Sequence, residues 1–126
     1  MQEKWRISDQ PDGPVEATAI VEALERRIAQ GDMTTWLSSS LGRQIAFVSN
    51  GPRAMVMLLR DDQGDPGEHA TDPQGEGSSG GFVLDNGQSD EYSDRDTVPT
   101  KDALRIVSHL LTEGVPPVNA SWQVDR

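Results

Sequence analysis

The sequence predicts an α+β domain: a mostly antiparallel sheet of about six to seven strands, with two helices packed on one face. Two segments, one near each end of the chain, repeat apolar residues at helical spacing. Short alternating or continuous apolar stretches bounded by turn residues surround them and read as strands. The resulting order, β-α-β-β-β, a long polar loop, then β-β-α-β, is that of an α+β domain. Its 126 residues suit one domain spanning 1–126.

In chain order, Lys4 to Ser8 alternates, with Trp5 and Ile7 on one face of a first strand. Pro14 to Gln30 is the first helix, because Ala17, Ile20, Val21, Leu24 and Ile28 form one stripe. Pro14 suits its first position, Gly13 its N-cap and Gly31 the residue just beyond its end. Arg26 and Arg27 suit the negative end of the helix dipole and read as a solvated helix end. Thr34 to Ser38 reads as a strand. Residues 44–49 and 54–60 read as a hairpin about Asn50-Gly51, the second strand central because both its faces are apolar. Gln63 to Gly81 has almost nothing to bury, so a mobile acidic loop is expected at about 61–80. Gly81 to Leu84 and Gln88 to Tyr92 read as a second hairpin through a type I′ Asn86-Gly87 turn. Thr100 would cap a second helix with Ala103, Leu104, Val107, Leu110 and Leu111 buried and Gly114 at its end. Asn119 to Asp125 alternates again as a closing strand, with Ala120, Trp122 and Val124 on one face.

Charge is the strongest functional signal. The net charge is −10. From 61 to 96 the acids are Asp61, Asp62, Asp65, Glu68, Asp72, Glu76, Asp85, Asp90, Glu91, Asp94 and Asp96, against the single base Arg95. That segment alone therefore carries the whole net charge, and acids and bases elsewhere cancel. Phosphate contacts need a basic footprint, so nucleic acid is not the expected partner; a basic protein is. There is no cysteine, hence no disulfide framework and no thiol nucleophile. The longest apolar run, Ala54 to Leu59, is far short of the roughly 20 residues a helix needs to span a bilayer. With no leader-like start either, a soluble cytoplasmic protein is expected.

The motifs of catalysis and metal binding are missing. No register of the carboxylates supplies a calcium loop's ligand spacing. His69 and His109 lack convergent partners in sequence, and there is no nucleophile elbow. Gly75 to Gly81 lacks a lysine and precedes a strand, the reverse of a phosphate cradle. The expectation is no enzyme, no cofactor and no metal. Trp5, Trp36 and Trp122 each stand in a strand segment and read first as core. Tyr92, inside the acidic stretch, is the better interface anchor.

The C-terminal third carries an ordered series: Asp96-Thr97-Val98-Pro99, a helix through Ala103 and Val107, then Leu111, Gly114, Pro117 and Ser121-Trp122-Gln123. This series resembles the first-numbered immunity-protein family of bacterial polymorphic toxin systems, whose members end with a valine-proline, a helix, a Gly-Pro turn and a Trp-bearing strand. The hairpin from Gly81 to Tyr92 and the early helix also fit. The segment 61–80 is longer and more acidic than the family pattern. The resemblance implies a cytoplasmic antidote that binds a cognate toxin domain, often a deaminase or nuclease, as one monomer in a heterodimer. The carboxylates would occupy a basic cleft of that toxin. The expected contact residues are Asp85, Asp90, Glu91, Tyr92, Asp94 and Asp96, with Asp61, Asp62 and Glu68 as a second acidic group. The alternative is a structural or regulatory interaction domain whose acidic segment maintains solubility.

Overall fold

The computed structural model describes residues 3–61 and 63–126, and it is an α+β fold. The strands are β1 (Trp5–Ile7), β2 (Thr34–Ser39), β3 (Gln44–Ser49), β4 (Arg53–Leu59), β5 (Glu68–Thr71), β6 (Ser78–Val83), β7 (Ser89–Ser93), β8 (Val98–Pro99) and β9 (Ser121–Val124); the helices are α1 (Ala17–Ala29) and α2 (Thr100–Glu113). Strands run β1-β2-β3-β4-β5-β9 across one antiparallel sheet, with the short β8 also paired to β4. β6 and β7 form a separate two-stranded ribbon.

Register decides which side chains meet the helices. Leu37, Ile45 and Leu58 align across β2, β3 and β4, as do Thr35, Phe47 and Val56. With Ile20, Ala23 and Leu24 of α1 and Ala103, Ile106, Val107 and Leu110 of α2, these strands' apolar residues form the main core. Trp5 and Ile7 close it at one edge, and Ala70 extends it to β5. The other face carries the row Trp36, Ala46, Met57, His69 and Gln123. The ribbon lies on that face: Thr34 Oγ1 donates to the Val83 carbonyl at 2.6 Å, and Asn50 Nδ2 to the Gly80 carbonyl at 3.0 Å. Phe82, fully buried, and Ala46 and Val48, nearly so, make a small second core beneath it.

Several local expectations are corrected. α1 starts at Ala17 with Glu16 as an extended N-cap, not at Pro14; proline's fixed φ suits extended backbone as well as a first helical turn. Its end is as expected, because the Gly31 N–H donates to Ile28 and the Asp32 N–H to Arg27, a Schellman pair. Arg27 is not a solvated end: it is largely covered and grips both carboxylate oxygens of Asp9, at 3.1 and 2.6 Å. Thr100 does not cap α2; it is the first helical residue, and its hydroxyl donates to the Gly51 carbonyl. Ile106 joins the buried stripe of α2. The Asn86-Gly87 turn is not type I′, since only Gly87 has positive φ. The Gly87 N–H returns to Leu84 and the Leu84 N–H reaches Gln88, which makes a type I turn closed by a glycine bulge.

The largest difference is in the segment read as a loop. β5 runs inside it, paired to β4 on one side and β9 on the other, and β6 begins at Ser78. Two of its glycines serve close approach rather than slack. A Cβ on Gly75 would sit 2.5 Å from the Asp94 carbonyl oxygen, and one on Gly67 would sit 2.6 Å from Leu59 Cδ2.

Candidate partner-binding surface

The expected contact residues divide into two sets by what they touch. Asp90, Glu91 and Tyr92 lie on β7, where alternation sends Asp90 and Tyr92 to the half-buried side and Glu91 outward. Tyr92 packs on Phe82 with ring centroids 4.9 Å apart, tilted by 60°. Its hydroxyl donates to Asp90 at 3.2 Å, and Asp90 also accepts from the Gln88 amide at 2.7 Å. Burial first, and then Asp90, raise the Tyr92 pKa. Tyr92 therefore fastens the ribbon and leaves only part of its ring outside. Glu91 is exposed and accepts a hydrogen bond from Ser78 across the ribbon. Asp85 is exposed in the turn, and Asp61, also exposed, accepts the Gln63 N–H at 2.8 Å. Among the described residues Asp61, Asp85, Asp90 and Glu91 form no ion pair, and neither does Glu76. Asp62 lies outside the described residues.

The second set is tied into the fold. Asp94 accepts from Ser79 Oγ at 2.5 Å and lies 3.8 Å from Arg53 Nε. Asp96 meets His69 Nε2 at 2.9 Å. Glu68 accepts from Trp122 Nε1 at 2.8 Å and from Arg126 Nη1 at 2.6 Å. These three stabilise the structure, and their charges are largely matched.

Their basic partners carry no local sequence signal. Arg53, at the start of β4, donates to Asp72 at 2.8 Å, to Thr97 Oγ1 at 2.8 Å and to the carbonyls of Asp94 and Thr97. Its hydrogen bond is the main reason the Asp72 carboxyl titrates below its ordinary range. Arg126 holds Asp65 through two hydrogen bonds of 2.9 Å, which are the largest cause of an Asp65 pKa lowered to about 2.

His69 departs most from its sequence reading. It is buried in β5, with Nδ1 2.7 Å from Asp125 and Nε2 2.9 Å from Asp96. Burial opposes its protonation, but the hydrogen bonds and charges of the two carboxylates together outweigh it, and its pKa is raised. The partners converge from a 3-10 turn at Asp94–Asp96 and from the chain just beyond β9, which spacing along the chain does not reveal. His109 is simpler: its Nδ1–H donates to the Val115 carbonyl at 2.7 Å and ties down the end of α2.

What this surface presents is negative charge: Asp61, Asp85 and Glu91 are exposed carboxylates with no ion pair among the described residues. Among the described residues, no group of three or more histidines and carboxylates is arranged to hold a metal ion, and no helix is long and apolar enough to cross a membrane. No protein-family model matches the chain, and no curated protein is significantly similar to it.

Proposed function

We propose that this protein is a cytoplasmic antidote that binds a cognate bacterial toxin domain and occludes its basic cleft. The toxin domain is a nucleic-acid-targeting enzyme, a deaminase or nuclease. The observation that carries this reading is a ribbon raised on the open face of the sheet whose exposed acids have no internal ion pair. The exposed Asp85 and Glu91, with the half-buried Asp90, are available to lysines and arginines of a partner, whereas Asp72, Asp96 and Glu68 are already matched. Unmatched surface charge accelerates encounter with an oppositely charged protein. The resemblance of the C-terminal series to the immunity-protein family supports the same reading. Its valine-proline is β8, its helix is α2 and its tryptophan stands on β9.

The test is co-expression with the product of the neighbouring gene, which under this proposal encodes the toxin domain. The expected result is restored growth of the host and a complex that co-purifies at low salt and weakens as salt rises. A toxin domain that kills despite abundant folded protein, with no complex at low salt, sinks the proposal. A second reading, a structural or regulatory interaction domain, is favoured by one observation: Asp94, Asp96 and Glu68 spend their charge inside the fold. Under that reading, neutralising Asp85, Asp90 and Glu91 together changes no binding.

A further inference from the structure

The face that carries the ribbon is only partly covered by it. Beside the ribbon's turn, Trp36, Met55, Met57 and Leu84 wall a groove of about 280 Å³, floored by Ala46 and Val48. Past Trp36 it continues into a more polar hollow of about 400 Å³, lined among others by Ser38, Gln44 and Asp9. Thr34, Trp36 and Asp85 border both hollows.

We propose that this groove seats one apolar anchor side chain, aromatic or long aliphatic, from a basic segment of the protein partner. The inference rests on the reading above that the partner is a basic protein, and it names where that partner inserts. Three features carry it. The walls are adaptable and aromatic: two methionines, whose unbranched side chains fit varied shapes, and a tryptophan, a residue type enriched at binding hot spots. The apolar part is small, about 280 Å³, and has room for a single large side chain, while the polar hollow beyond Trp36 takes the flanking polar residues. The charge is one-sided: Asp9 and Asp85 are the charged residues lining the two hollows, and no base lines either. Asp9 is matched by Arg27, which leaves Asp85 as the free carboxylate at the mouth. An anchor flanked by lysine or arginine satisfies both the groove and its rim. A second copy of this chain fits poorly, because it would bring a net charge of −10 against the same charge.

The groove is tested without the partner by tryptamine, an indole bearing an ammonium group. Its effect is followed by NMR on the methionine methyls and the tryptophan indole N–H signals. Tryptamine is expected to shift the signals of Met55, Met57 and Trp36. Indole-3-propionate, the same ring with a carboxylate, should shift them roughly fivefold less at equal concentration, as expected beside an unmatched carboxylate. Asp85→Asn should narrow that difference. Absent shifts, or equal shifts from the two probes, overturn the proposal. So does a concentration-dependent dimer in sedimentation that Met57→Lys dissolves, because a second copy is then the occupant. With the neighbouring toxin domain, Met57→Lys should weaken binding by about tenfold or more, as loss of a buried anchor does. Unchanged affinity in a variant of native spectrum removes the groove and leaves the function standing. If the unaltered protein does not bind the domain, the function falls, and the tryptamine result alone decides the groove.

Discussion

His69 is held at both ring nitrogens, and that fixes how its charge couples to stability. Its folded pKa is raised, so its contribution is fully present below the ordinary histidine value and is lost as pH rises through the folded pKa. Asp125 is the converse. Its hydrogen bond to His69 is the main cause of a lowered pKa, so its contribution is present above the ordinary carboxylate value and is lost as pH falls through the depressed one. The clamp is strongest between those limits. His69→Gln should cost about 1–2 kcal/mol at pH 6, discounted because the Asp96 carboxylate is half exposed. Towards pH 9 the deficit should shrink, because the native imidazole loses its proton as pH rises through its raised pKa. Urea unfolding of both proteins at the two pH values measures this. A deficit that is constant or grows with pH would mean that His69 is not protonated in the fold at pH 6.

The ribbon of β6 and β7 is the element on which the functional reading depends, and Phe82 is the side chain it buries most deeply. Phe82 is fully buried beneath it, with the Tyr92 ring tilted against it. Phe82→Ala should cost about 3–4 kcal/mol. It should also speed hydrogen exchange at Leu84 and Gly87, whose N–H groups close the turn. If the ribbon amides exchange no faster while global stability drops, the ribbon is held by its hydrogen bonds to Thr34 and Asn50 instead. At this scale the sequence was most and least informative. Both helices, the β3–β4 hairpin, the ribbon and the closing strand were legible, because periodicity and turn residues report burial locally. β5 was not: Glu68-His69-Ala70-Thr71 has one small apolar residue, and its reasons to be a strand are β4 and β9 on either side. The surrounding glycines and prolines resemble the composition of a disordered linker, while Gly67 and Gly75 serve contacts that a side chain would block. The two apolar faces of β4 were legible as the mark of a central strand, and β4 does lie between β3 and β5. Which part of the ribbon-bearing face stays open, at Met55 and Met57, depends on where the ribbon lands.

For the whole molecule, the decisive quantity is the location of the net charge of −10 once the fold has paired what it can. In the sequence, all of it belongs to residues 61–96. Folding brings Arg53 and Arg126 in from outside that segment, against Asp72, Asp94, Asp65 and Glu68, and sets His69 against Asp96. The expected contact acids therefore have different jobs, and neutralising them in two groups separates those jobs. A variant with Asp85→Asn, Asp90→Asn and Glu91→Gln removes unmatched charge from the ribbon. Its unfolding midpoint should be nearly unchanged. Its association rate with the proposed toxin partner should fall by about tenfold at low salt, and the difference should fade near 0.5 M salt, where the Debye length is only about 4–5 Å. A variant with Glu68→Gln, Asp94→Asn and Asp96→Asn removes charge that the fold uses. It should unfold more easily, yet associate at a rate closer to that of the unaltered protein. Stopped-flow association across a salt series, with thermal unfolding of the same samples, reads both effects. If the second variant slows association as much as the first while remaining folded, steering comes from total charge rather than from the ribbon, and the ribbon loses its special place in recognition.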